Sequence, residues 1–449
     1  MKRILLLILF GLMTALPTAV WAQAPGLIAG PMIGHVTEST ALVWFYQNNG
    51  VDVWGEAFQS GHRLQGIRDG LTLRFADLQP DQPLRVQIHV GDRDGAWETE
   101  ELLFRTAPVP TETGKLRLAF GSCSKDSLHP YVPVMEAMAF EQPDLALFVG
   151  DNSYFVVGDG NWSTSGPKGD WNSSEQMLAR HLRTRTNPYF QRLFRSVPGY
   201  GIWDDHDYGP NNTDRTFPMK DAALDVFKYV WANPGYGTPE TPGIFSTFRR
   251  GPAQIFLMDD RYHKWVKTEE HPEVSSSEAT IWGEGQFAWL LDELKRSKAP
   301  VKIIANGTQV ISNDGRGEGH ANEAPEELGK LLAFLRENRI GGVIFLSGDR
   351  HFTEVCRLQQ EGGPDLLEFT SSPIQQDRPV GPMAEPRNHP THVWSANGNS
   401  YGLVTIDAAP DGQGFVRFEM RDANNHVPVI NEQAAQSEFP LSSLYYPKP

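Results

Sequence analysis

From residue 84 to residue 90 the chain alternates strictly, with Leu84, Val86, Ile88 and Val90 apolar and Arg85, Gln87 and His89 polar between them. A period of two sends successive side chains to opposite faces and predicts a half-buried β-strand. Comparable runs, ALVWFY at 41–46, LTLRFADLQPDQPLRVQIHV at 71–90 and LLFRTAP at 102–108, are separated by turn residues, so residues 25–108 are predicted to form a small all-β sandwich. The rhythm changes at Lys115, beyond a Pro- and Thr-rich boundary at 108–114. Short apolar runs at 116–121, 144–149, 198–203, 254–258, 301–305 and 342–347 now alternate with helical patterns. In the clearest of these, 284–297, Phe287, Leu290, Leu291 and Leu294 share one face. Strands alternating with helices predict an α/β domain over 115–449, closed by an antiparallel pair at 402–407 and 414–420. Residues 156–174 and 262–283 carry neither period, and long irregular stretches of this kind are expected to be lids or binding loops.

The N-terminus has a separate logic. Lys2 and Arg3 precede an apolar run from Ile4 to Met13, and Val20-Trp21-Ala22 offers a cleavage site, so residues 1–22 are expected to be a Sec-type signal peptide. The apolar run is too short for a bilayer span, which needs ~20 residues. The expected destination is the periplasm or the medium. A length of 449 residues, with 40% hydrophobic and 21% charged content, fits two or three globular domains and excludes a disordered or collagen-like chain. The formal net charge of −15 argues against nucleic acid or an anionic membrane as a stable partner, so any recognition of phosphate must be local. The pattern specifies no oligomeric state. Two cysteines, Cys123 and Cys356, cannot build a disulfide framework; Cys356 is expected to pack in the core.

Chemistry concentrates where the apolar runs end. GSCS (121–124) puts Cys123 on an exit turn, GDNSYF (150–155) adds Asp151 and Tyr154, WDDHDYGPNN (203–212) adds Asp204, Asp205, His206 and Asp207, and GDRHF (348–352) adds Asp349 and His351. Open α/β sheets build their sites at strand carboxyl ends. A buried thiol, a helix cap or a surface turn would explain each of these singly, but four together point to one site. So many anions and imidazoles need metal ions or protons between them.

These motifs, with FLMDDR (256–261), GQFAWLLDEL (285–294) and LSGDRHF (346–352), resemble in order and spacing the PhoD-like alkaline phosphatases, a branch of the calcineurin-like metallophosphoesterases related to purple acid phosphatases. The resemblance covers about residues 115–375. It implies a four-layer α/β/β/α sandwich preceded by a small β-sandwich. Residues 25–108 in turn resemble a fibronectin type III domain, with Trp44 in a strand, a Leu78-x-Pro80 corner and a closing Phe104-x-Thr106-x-Pro108, although Leu84 stands where that fold usually carries a tyrosine. By the same resemblance Cys123 replaces the first ligand of the wider superfamily. Cys123, Asp151, Tyr154 and His351 then form an iron site, because thiolate and phenolate together suit Fe3+. Asp151 bridges to a second, oxygen-rich site with Asp205 and Asp349, completed by Asn306 or Gln309 and suited to Ca2+. The implied reaction is hydrolysis of small-molecule phosphate mono- or diesters by a metal-bound hydroxide, in an exported enzyme that scavenges phosphate. His206 would bind the phosphate or protonate the leaving oxygen, Asp207 would hold its ring, and Arg261 and Arg350 would either neutralise transition-state charge or pair with Asp260 and Asp349. Two rival readings are a thiol hydrolase with Cys123 as nucleophile and His351 as base, and a secreted binding protein using the β-sandwich and the loop of Trp162 and Trp171.

Overall fold

Alternation at the start of the chain produces two four-stranded sheets facing each other. Leu27–Val36, Ala41–Gln47, Thr72–Phe75 and Ile67–Asp69 make one, and His62–Gln65, Asp52–Gln59, Pro83–Gly91 and Glu98–Arg105 make the other. Leu84, Val86, Ile88 and Val90 bury their side chains against Val43, Phe45, Leu73 and Phe75, while Arg85 lies over the ring of Phe58 on the outer face. The computed structural model describes residues 26–91, 97–125, 132–154, 170–315, 317–376, 379–383, 387–409 and 413–446. The expected signal at 1–22, Trp162 and most of the stretch 156–174 lie outside these; Trp171 is buried in the core.

The rest of the chain builds two larger sheets. The first has six strands in the order Gly199–Ile202, Leu145–Val149, Gly114–Gly121, Tyr401–Ala408, Gly414–Arg421 and Gln436–Pro440. The second has seven, in the order Ser246–Arg250, Ala253–Leu257, Val301–Ala305, Val343–Ser347, Leu366–Thr370, Thr353–Leu358 and His392–Ala396. Leu145–Val149 and Val301–Ala305 are buried at every position, as strands covered on both faces must be. Ile255, Ile303 and Leu346 join the core shared with the first sheet, and Phe369 stacks on Phe418 across the two sheets with ring centroids 4.8 Å apart. The alternate residues Phe256, Ile304 and Phe345 pack instead with Leu290 and Leu294 of the helix Gly283–Arg296 and with Leu331 and Leu335 of the helix Pro325–Glu337. Behind the first sheet, Phe148 meets Phe190, Phe194 and Trp231 on the helical side. Helix, sheet, sheet and helix are thus stacked in four layers. Among the described residues no helix is long and apolar enough to cross a membrane.

The N-terminal sandwich is fused to this core. Ala29, Met32 and Trp44 belong to the same cluster as the first large sheet, and Trp44 Nε1 donates to the Tyr229 carbonyl at 2.9 Å. Gly34 crosses so close to Ala232 that a Cβ on it would lie 2.4 Å from the alanine methyl. Beside it, His35 Nδ1 lies 3.2 Å from the Tyr200 hydroxyl.

Candidate metal centre

Parallel pairing sets the site. Gly114–Gly121, Leu145–Val149 and Gly199–Ile202 run in one direction in the first sheet, as do Ala253–Leu257, Val301–Ala305 and Val343–Ser347 in the second. Their carboxyl ends therefore release the polar motifs at common edges. The strands press together there: a Cβ on Gly150 would stand 2.5 Å from the Asp204 Cβ, and one on Gly348 2.5 Å from the Ser122 Cβ. The next residues must turn at once. Cys123, Asp151, Asp349 and His351 accordingly hold left-handed backbone angles, with φ of 57°, 52°, 62° and 55°. Non-glycine residues adopt that region at a cost of order 1–3 kcal/mol each, and such strain gathers where side-chain direction matters more than backbone comfort.

Asp151 stands in the middle. Its Oδ2 accepts from the Tyr154 hydroxyl at 2.9 Å and lies 3.4 Å from Cys123 Sγ, while Oδ1 accepts the backbone N–H of His206 at 3.2 Å. His351 Nε2 is 3.4 Å from the Tyr154 oxygen. Cys123, Asp151 and His351 each offer a donor atom within 4.8 Å of the others, and so do Asp151, Asp205 and His206. The Asp205–Tyr208 helical turn presents the second group, and Asp205 Oδ2 is steadied by the backbone N–H of Asn212 at 2.8 Å. The ring of His206 lies against that of Tyr154, with centroids 4.4 Å apart.

Burial without counter-charge shapes the electrostatics. It pushes the Cys123 thiol up to about 12 and, helped by Cys123, Asp205, Asp207 and Asp349, raises the Asp151 carboxyl well above its ordinary range. Asp349 is pushed up to about 7 by burial and then by Glu318. Asp205 differs: burial works to raise it, but His206 and Arg261 outweigh burial and hold its carboxyl low. A thiol, a phenol, an imidazole and carboxylates that resist ionisation when buried together are what cations would stabilise. The donor set is one that metal ions would fit.

Other expected residues take more particular places. Asp207 uses both oxygens to clasp the neighbouring turn, accepting from the backbone N–H of Asn152, Ser153 and Asp204 at 3.1, 2.9 and 3.3 Å. Asp349 stands outside both tight donor groups; its carbonyl lies 3.6 Å from Cys123 Sγ and its Oδ2 3.5 Å from Arg350 Nη1. Asn306 receives the Trp282 indole N–H on its side-chain oxygen at 2.9 Å, and Gln309 donates to Glu354 and Thr370, each at 2.8 Å. Arg261 is fully buried, and its partners are Asp204 and, at 2.8 Å, Glu318, in place of the expected Asp260. Glu318 also accepts from Lys264 Nζ at 2.6 Å, making a buried strut behind the site that sequence reasoning missed. The available signal was slight, an acid between Gly317 and Gly319 in a segment without periodicity.

Two sheets whose common edges gather candidate metal donors around one shared carboxylate, enclosed by helices, form a four-layer α/β sandwich with one polar centre. Residues 118–414 match the PhoD-like phosphatase family, and the chain belongs to that family of metal-dependent phosphatases. A solved structure of PhoD superposes with a TM-score of 0.73 at 16% identity, covering 93% of this chain and 89% of that one. The purple acid phosphatase PPD1 from seeds of yellow lupin, Lupinus luteus, gives 0.59 at 12% identity, covering 91% and 73%. At such identities the likeness establishes the fold. No curated protein matches the sequence.

Proposed function

We propose that this phosphatase is an exported enzyme that hydrolyses phosphate mono- and diesters of small molecules at alkaline pH and so recovers phosphate. The observation that supports the site map is the division of Asp151: one oxygen faces Cys123 and Tyr154, the other the Asp205–His206 turn. Cys123, Asp151, Tyr154 and His351 would hold Fe3+, and Asp151, Asp205 and Asp349, completed by Asn306 or Gln309, would hold a second ion, the divalent Ca2+. When bound, the metals supply an activated water and a Lewis-acid clamp on the phosphoryl oxygens. The chain supplies the rest. His206 contacts the phosphoryl group and gives the leaving oxygen its proton, held in place by its packing on Tyr154. Asp207 fixes the turn that carries His206 by tying it to Asn152 and Ser153. Arg350, partly exposed beside Asp349, meets substrate charge, whereas Arg261 acts through Asp204. The test is elemental analysis of the purified exported protein, with turnover measured on a phosphate monoester and a diester before and after chelation. Iron near one equivalent with calcium, and loss of both activities on chelation, is expected. Full turnover by metal-free protein would overturn the reading.

A further inference from the structure

A second constellation of metal-binding side chains lies outside the centre just described. Glu354 and Cys356, two residues apart on the strand Thr353–Leu358, point to the same side, and a returning loop lays His389 against them. Glu354, Cys356 and His389 are all buried and each offers a donor atom within 4.8 Å of the others. We propose that Glu354, Cys356 and His389, with His392 as the fourth donor, form a structural site for zinc or a similar borderline divalent ion.

Three observations converge. The first is distance: His389 Nε2 is 3.1 Å from Glu354 Oε1, against about 3.3 Å for the N–O edge of a tetrahedron with zinc-ligand bonds of roughly 2.0–2.1 Å. His392 Nε2 stands 4.0 Å from the same oxygen and 3.2 Å from the Ser395 hydroxyl, a contact it would give up to join the set. The second is orientation. His389 Nδ1 is engaged by the Thr391 hydroxyl at 3.1 Å, which leaves Nε2 facing the cluster, and His392 belongs to the edge strand His392–Ala396 that pairs with Thr353–Leu358. Glu354 Oε2 accepts from Gln309 and Ser312, while Oε1 accepts from Arg387 Nε at 2.6 Å. A carboxylate oxygen has two lone pairs, so Oε1 keeps Arg387 and turns its other lone pair from His389 to the ion.

The third is charge. Arg387 also faces Asp314 at 2.9 Å, and Glu368 brings a further buried carboxylate near the thiol. Carboxylates thus outnumber guanidinium here, and a dication neutralises the excess while holding Cys356 as thiolate. Glu, Cys and two His form a closed four-ligand set, the mark of a structural rather than a catalytic zinc. Arg387 and His392, which flank the cluster, also line a surface pocket of about 280 Å³ with Met383 and Trp394. The ion would bind the loop 387–391 to the sheet.

Because the chain has two cysteines, the decisive test is spectroscopic. In full-length Cys123→Ser loaded with Co2+, a thiolate-to-cobalt charge-transfer band must arise from Cys356; its presence, at one cobalt per chain and abolished by adding Cys356→Ser, is the expected result. Should Cys123→Ser fail to fold, zinc-edge X-ray absorption of the zinc-loaded wild type beside Cys356→Ser reads the same contact as a sulfur at about 2.3 Å that the variant loses. Cys356→Ser and His389→Ala should each lose one equivalent of zinc while keeping iron, and Cys356→Ser should keep turnover within severalfold of the parent. Absence of the charge-transfer band in folded Cys123→Ser, or a zinc–sulfur contact that Cys356→Ser leaves unchanged, would overturn the proposal.

Discussion

Because the two oxygens of Asp151 face different donor groups, substitutions around it should separate by what they remove. Asp151→Ala is expected to lose both metals, whereas Cys123→Ser should lose iron alone, with turnover falling by more than the roughly 10–100-fold typical of an outer-sphere partner. His206→Ala should keep both metals and lower kcat about 10²–10⁴-fold, the usual worth of a general acid. Metal analysis beside steady-state kinetics distinguishes these outcomes. Metal loss in His206→Ala would make His206 a ligand, a role its place beside Asp151 and Asp205 makes geometrically available. The structure brings Cys123, Asp151, Asp205 and His351 together, and the sequence could single them out because each lies within a few residues of the end of an apolar strand. Glu318 could not be singled out in this way. It reaches the site by folding back from a glycine-rich segment, and tertiary contact alone gives it meaning.

At the level of elements, legibility tracked burial on both faces. The runs at 144–149, 301–305 and 342–347 became Leu145–Val149, Val301–Ala305 and Val343–Ser347, and the expected helix is Gly283–Arg296. Thr353–Leu358, Leu366–Thr370 and Ser246–Arg250 were not foreseen, because buried charges such as Glu354 and Glu368, or a polar edge such as Arg249 and Arg250, interrupt the apolar signal. Their partners, Arg387 for Glu354 and backbone N–H groups for Glu368, come from distant loops. The strut formed by Arg261 also joins elements, linking the turn after Gly199–Ile202 to the loop holding Glu318. Arg261→Met should cost about 3–5 kcal/mol, since it strands the buried Asp204 carboxylate and leaves Glu318 to Lys264. Chemical denaturation of the metal-loaded protein measures it. A change below about 1 kcal/mol would mean that Asp204 and Glu318 find other partners.

At the scale of the whole molecule the two domains meet through His35. Burial, and after it Arg250, lower the imidazole to about 4, with the Tyr200 hydroxyl at 3.2 Å and the Phe248 ring alongside. The folded value lies below the unfolded one, near 6.5, so between them the unfolded chain binds more protons and stability falls as pH drops from about 6.5 to about 4. The loss should approach about 3 kcal/mol at roughly 1.4 kcal/mol per unit. His35→Gln should flatten that limb of the Tm-against-pH curve; an unchanged slope would place the acid lability elsewhere. A different consequence follows from the left-handed angles at Cys123, Asp151, Asp349 and His351. A catalyst assembled on disfavoured backbone is under selection in two opposing directions, toward turnover and toward durability. Asp349→Gly should therefore make the metal-free protein more robust, raising its Tm by the equivalent of about 1 kcal/mol even as activity falls. Drift without demand for phosphate hydrolysis would convert these positions to glycine first, leaving a sturdier sandwich that has forgotten its chemistry.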